Sequence, residues 1–99
     1  MKLLYTNQAI ESLNEALNFI TPKVSYDKLL EIRTQILDKA DTLLLHPHQG
    51  QAEPYLMHLK LEHRRLVQGN YKIIYRIVGE IIYITDIFDS RQEPKKMKG

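Results

Sequence analysis

The sequence predicts an α+β fold: a helical hairpin packed on one face of an antiparallel sheet of three to four strands. Two observations predict it. Through residues 1–45 the apolar positions step by three and four, the period of an amphipathic helix. From residue 55 onward runs of β-branched and aromatic residues take over, broken by short Gly- and Asn-bearing turns, the pattern of strands and hairpins. Helices gathered in one half and strands in the other favour a layered α+β arrangement over alternating β-α-β units. The chain has 99 residues, so we read residues 1–99 as one domain.

Lys2–Tyr5 is an edge-strand candidate at the start of the chain. Thr6 or Asn7 can cap a first helix running to about Ile20, with Ile10, Leu13, Leu17 and Ile20 on its apolar face. Pro22 stops it, and Ser25 can cap a second helix with Asp27 in its first turn. The second stripe runs through Tyr26, Leu29, Leu30, Ile36, Leu37, Ala40, Leu43 and Leu44, which predicts a helix from about Tyr26 to Leu45. The helical hairpin thus occupies residues 6–45. Arg33 falls within its stripe, as a snorkelling side chain or an interface arginine.

The loop His46–Pro54 carries Pro and Gly, and the sheet is expected over residues 55–89. Leu56–Leu61 and Arg64–Val67 read as strands, or as one bent strand, and Gln68–Gly69–Asn70 as a turn. Tyr71–Val78 and Ile81–Asp89 are joined across Gly79–Glu80 as a tight hairpin. Alternation places Tyr71, Ile73, Tyr75 and Ile77 on the core face and Lys72 and Arg76 on the other, which is expected to be open. Residues 90–99 read as a polar, basic tail.

Composition excludes several classes of function. Cysteine is absent, which removes disulfides, thiolate catalysis and Cys-ligated zinc. No P-loop, nucleophile elbow or zincin helix is present, so no cofactor is expected. His46, His48, His58 and His63 crowd into eighteen residues, but no carboxylate stands at a ligand-like spacing, and we assign no metal site. The start of the chain lacks a signal-peptide pattern and no apolar run approaches a membrane span, so a cytoplasmic protein is expected. Residues 1–50 hold five Lys/Arg against six Asp/Glu, and residues 51–99 nine against six. Basic residues therefore favour the sheet half, where Lys72 and Arg76, joined by Arg64 or Arg65 and by Arg91, make a candidate phosphate-binding face. The alternative is charge that keeps an exposed strand face solvated. Asp86, Asp89 and Glu93 near Arg91 could serve as an acid cluster, or Asp89 could pair with Arg91 and fix the tail.

The stretches His63–Ile77 (HRRLVQGNYKIIYRI) and Ile81–Pro94 (IIYITDIFDSRQEP) are more specific than their composition. An Arg-Leu-Val segment, a Gly turn, a Tyr-Lys-Ile-Ile-Tyr-Arg strand, a hairpin and a closing strand ending in Arg-Gln-Glu-Pro resemble the RelE/ParE superfamily of toxins from bacterial type II toxin–antitoxin modules. The plasmid-stabilisation branch is the nearest look-alike. The resemblance holds by residue over about Leu61–Pro94 and by element order over the whole chain.

It implies a toxin neutralised by a cognate antitoxin, which would cover apolar strips on the helices or a sheet edge. Two mechanisms follow from the family, and the joint presence of Arg65, Lys72 and Arg91 favours the first, messenger cleavage. Ribosome-dependent endoribonucleases drive the 2′-hydroxyl of mRNA onto the adjacent phosphate, needing a base, an acid and cations for the phosphorane charge. For that reading Lys72 and Arg91 match the family's strand and post-strand arginines. Arg65 lies near its lysines, making Arg65, Lys72 and Arg91 the catalytic candidates. Arg64, Arg76 and His63 are the candidate RNA or phosphate contacts. No Tyr or His follows Arg91 to act as acid or base, although His63 and Glu62 could substitute. Gyrase-poisoning members carry no catalytic set and bind the topoisomerase. A third reading is an inert member that binds only its antitoxin.

Overall fold

The computed structural model describes residues 1–99. Strand β1 (Lys2–Tyr5) leads into helix α1 (Asn7–Ile20), a short 3₁₀ turn (Thr21–Lys23) and helix α2 (Tyr26–Asp41). Strands β2 (Gln51–Ala52), β3 (Arg64–Gln68), β4 (Tyr71–Val78) and β5 (Ile81–Asp89) follow. The sheet has five strands in the order β1-β5-β4-β3-β2. Neighbours are antiparallel except β1, which runs parallel to β5 with Lys2 opposite Ile81 and Tyr5 opposite Ile84. The α+β class and the helical hairpin are as expected; the sheet is larger than the three to four strands predicted, and mixed. The edge strand expected at Lys2–Tyr5 forms, and the strand not predicted is β2, at the other edge. β2 is only two residues long, too short to leave a periodic signal.

The helix starts follow from their caps. Thr6 Oγ1 accepts from Ala9 N at 3.1 Å and Ser25 Oγ from Lys28 N at 3.1 Å, satisfying donors that would otherwise be orphaned in the first turn. Helix α1 buries Ala9, Leu13, Leu17 and Ile20. Ala9, fully buried, holds the position expected for Ile10, which is 46% exposed at the edge of the stripe. Helix α2 buries Ile36 and Ala40, with Leu29, Ile32 and Leu37 partly covered. It stops at Asp41, short of Leu45. The chain tightens into a 3₁₀ turn over Thr42–Leu44, with Thr42 Oγ1 donating to Lys39 O at 2.6 Å. Tyr26, Leu30 and Leu44, expected on the stripe, are exposed, as is Arg33.

The expected strand Leu56–Leu61 is instead a 3₁₀ helix, Pro54–Leu59. Pro54 at its start has no N–H to give a ladder, Glu53 Oε2 accepts from Tyr55 N at 3.1 Å, and Lys60 ends the segment in the left-handed region at φ 57°. Leu56 and Leu59 stand three apart, one turn of this tighter helix.

The main core lies between the helices and one sheet face, with Ile73, Tyr75, Ile82, Ile84 and Ile87 against Leu13, Leu17 and Ile36. Pairing breaks between Ile74, opposite Asp86, and Tyr75, opposite Ile84, leaving Thr85 as an extra residue in β5. The bulge reverses the alternation of β5 beyond that point. Ile82 and Ile84 face the helices, and so do Ile87 and Asp89. Asp86 and Phe88 turn to the other face. That face is not open. Ile74 and Phe88 form a second buried cluster there with Leu56 of the 3₁₀ helix and Met97. Residues 94–99, expected to be a polar tail, lie across the sheet through Met97, 7% exposed.

Candidate functional site

The candidate residues divide between the two faces of the sheet. On the face away from the helices, Arg65 stands opposite Ile74 and Lys72 opposite Val67 and Phe88. Their charges converge on one carboxylate. Lys72 Nζ lies 2.9 Å from Glu53 Oε1 and Arg65 Nε 3.9 Å from the same oxygen. Glu53 is fully buried. Pairing with cations and the bond from Tyr55 N are what make such a burial tolerable. Arg65 also donates to Ala52 O and to Gln51 Oε1, and the Tyr55 ring lies 5.5 Å from Lys72 Nζ. Alternation placed Lys72 on this face and left Arg64 or Arg65 to join it; nothing in the spacing pointed to Glu53, an acid in the loop His46–Pro54. The one available signal was its position immediately before Pro54 at the head of a turn.

Arg91 lies on the opposite side. The β5 bulge turns Asp89 toward the helices, and Arg91 follows it. Its Nε and Nη2 donate to Asp89 Oδ1 at 2.9 Å and Oδ2 at 2.8 Å, and its backbone N–H to Oδ1 at 2.9 Å. This is the Asp89–Arg91 pairing anticipated from the sequence. The bidentate contact holds the Asp89 carboxyl below the usual aspartate range and raises the Arg91 guanidinium above its own. Arg91 borders a cavity of about 270 Å³ floored by Ile20, Val24, Ile32 and Ile36. Arg65 and Lys72 are thus brought together, and Arg91 is separated from them by the thickness of the sheet.

Of the candidate contact residues, Arg64 belongs to the helix side, opposite Tyr75, where its Nη1 donates to Gly50 O at 2.7 Å. Arg76 shares the other face and donates to Leu61 O at 3.3 Å. His63 is 4% exposed, and neither ring nitrogen has a partner. Burial, assisted by the charge of Arg76, lowers its pKa and favours the neutral ring. His46, His48 and His58 are exposed, and no His/Asp/Glu group gathers in a way that could hold a metal ion. Tyr71 and Tyr75 are core residues as expected, while Tyr83, opposite Arg76, lies on the other face.

This arrangement of sheet and helical hairpin has known counterparts. The family model for the ParE toxin of the type II toxin–antitoxin system parDE matches residues 3–94. The chain belongs to the ParE toxin family. Membership brings with it an antitoxin protein as partner. Among solved structures, the chromosomal ParDE toxin–antitoxin system from P. aeruginosa matches at a TM-score of 0.73 and 20% sequence identity. The match covers 90% of this chain and 95% of that one, a likeness of fold. No curated protein matches the sequence. In this ParE-family chain two of the candidate cations are joined to one buried carboxylate on one face, and the arginine is joined to another carboxylate on the opposite face. No helix is long and apolar enough to cross a membrane.

Proposed function

We propose that this toxin inhibits growth by binding DNA gyrase in the bacterial cytoplasm and performs no messenger cleavage of its own. The observation that carries this reading is the division of the three catalytic candidates. Cleavage of mRNA by a 2′-hydroxyl needs cations that converge on one phosphorane and are free to meet it. Arg65 and Lys72 share the buried carboxylate of Glu53, and Arg91 is held by Asp89 on the other face. A phosphate approaching Lys72 would have to compete with a carboxylate 2.9 Å away whose release would leave it buried and unpaired.

The missing acid and base agree with this. His63 is enclosed with both nitrogens out of solvent, and no His or Tyr follows Arg91. What remains is a compact surface suited to binding, neutralised by an antitoxin that contacts the same protein.

The test uses two purified systems. With gyrase and supercoiled DNA, the toxin is expected to accumulate covalent gyrase–DNA cleavage complexes, visible as linear DNA after detergent and protease. In a reconstituted translation reaction, primer extension on the messenger is expected to show no new ends. Discrete cuts in the ribosomal A site, lost in Lys72→Ala, would overturn the proposal and restore the ribonuclease reading. Silence in both systems would overturn it in favour of a member that only binds its antitoxin.

A further inference from the structure

The bulge that carries Arg91 to the helix side of the sheet sets it at the rim of a cavity separate from the Glu53 cluster. The cavity, about 270 Å³, lies between the end of α1, one edge of α2 and the β3–β4 turn. Lys28, Ile32 and Ile36 stand four residues apart on α2 and so share one face of the helix. That face is cationic at Lys28 and apolar beyond it, with Ile36 fully buried. Val24 and Ile20 complete the apolar lining. Water finds few hydrogen-bond partners against branched aliphatic walls, so an apolar group that displaces it is favoured.

The charge at this cavity has one sign. Of its eleven lining residues two are cations, Lys28 and Arg91, and none is an acid. Asp89 engages Arg91 through Nε and Nη2, which leaves Nη1 outside that contact. The Asp89 side chain is 7% exposed and that of Arg91 53%, so the carboxylate fixes the guanidinium from behind while its outer edge faces the cavity rim and solvent. Lys28 pairs with Glu31 at 3.4 Å, both side chains about half exposed, a contact that costs little to break. Tyr71 lines the inner wall, and burial raises the pKa of its hydroxyl, which stays a neutral donor and adds no competing charge. Gln68 and Asn70 bring side-chain amides, which also donate.

An apolar pocket with a few convergent polar groups is the geometry of a small-molecule site. We propose that this cavity binds a small aliphatic carboxylate, its chain against Ile20, Val24, Ile32 and Ile36 and its carboxylate between Lys28 and Arg91. Volume sets the length of the chain. At about 30 Å³ for each water-sized group, the cavity holds about nine such groups, the size of an acid of roughly six to eight carbons. An amine would meet two cations there, and an alcohol would leave their charge unanswered. The inference does not rest on gyrase being the toxin's target.

The test is titration of the full chain with butanoate, hexanoate and octanoate, each below its micelle concentration, followed by the methyl resonances of Val24, Ile32 and Ile36. Saturable shifts are expected at these methyls and none at Ile74 in the second cluster. Affinity is expected to rise about fourfold per added methylene, and to gain nothing further with decanoate once the cavity is full. Octan-1-ol and octylamine keep the chain and lose the negative charge, and are expected to bind roughly tenfold more weakly at low salt. Lys28→Gln, at an exposed position, is expected to weaken octanoate about fivefold and leave octan-1-ol as it was. Arg91→Gln is expected to do the same, with unchanged Ile73 and Ile84 methyls reporting an intact core. The absence of saturable shifts with octanoate would overturn the proposal. So would equal affinity for octanoate, octan-1-ol and octylamine, or a Lys28→Gln chain that binds octanoate as the parent does.

Discussion

Replacing Glu53 with Gln tests whether one buried carboxylate organises the basic face. At 2.9 Å the attraction between Glu53 and Lys72 is about 6 kcal/mol at an effective dielectric near 20. Much of it is offset by the desolvation that burial of the carboxylate entails. Lys72 and Arg65 keep 19% and 23% of their side-chain surface in contact with water, so they can partly rehydrate when their partner is neutralised. The net loss for Glu53→Gln is therefore expected at about 2 kcal/mol, below the 3–5 kcal/mol typical of a fully enclosed broken pair. For a chain of this size that corresponds to a fall in Tm of roughly 8–16 °C. Differential scanning calorimetry at neutral pH and moderate salt reads it directly. A double-mutant cycle with Lys72→Met isolates the pair, and a coupling energy of about 1–2 kcal/mol is expected. A Glu53→Gln protein within 2 °C of the parent, or a cycle with no coupling, would refute the assignment of Glu53 as the residue that engages Lys72. The proposal that these cations are withheld from phosphate would fall with it.

Gly50→Ala is expected to destabilise the fold by about 1–3 kcal/mol in urea denaturation, because a Cβ there would stand 2.6 Å from Tyr75 Oη and 2.7 Å from the Arg65 carbonyl oxygen. Tyr75→Phe removes the hydroxyl that accepts from Gly50 N at 2.9 Å and donates to Pro47 O at 3.0 Å, for an expected loss of about 1–2 kcal/mol by the same assay. His63, whose folded pKa lies below 6.5, takes up its proton more readily when unfolded. Stability should thus fall as the pH drops below about 6.5, by up to about 1.4 kcal/mol per unit, and His63→Leu should flatten that slope. Asp89, whose folded pKa lies below 3.8, contributes stability above that value which is lost as the pH falls through its folded pKa; Asp89→Asn should remove this acid limb in a pH series of Tm.

Much of this molecule was legible in its sequence because the relevant forces are local. Thr6 and Ser25 cap the helices through N–H groups three residues away, Pro22 interrupts the first helix, and Gly79 at φ 59° permits the tight β4–β5 turn. Lys2–Tyr5 carried enough apolar character to be recognised as an edge strand. The pairing of Asp89 with Arg91 was also readable, since a single residue separates the partners.

The reading failed where a residue's environment is made by distant parts of the chain. Leu56–Leu61 has the composition of a strand, but it follows a 3₁₀ helix start whose capping Glu53 is held by Lys72 and Arg65 of the distant sheet. Met97 lies in a run of lysines and looks solvated until Ile74 and Phe88 offer it a slot. The bulge at Thr85 mattered most. The interval of three between Ile84 and Ile87 was its trace in the sequence, but regular alternation hid its consequence. One extra residue sends Asp86 to one face of the sheet and Asp89, with Arg91, to the other. Local propensity and periodicity therefore determined which elements form and in what order. The division of Arg65 and Lys72 from Arg91 was decided only by strand register, because a single-residue shift in pairing moves every later side chain to the opposite face of the sheet.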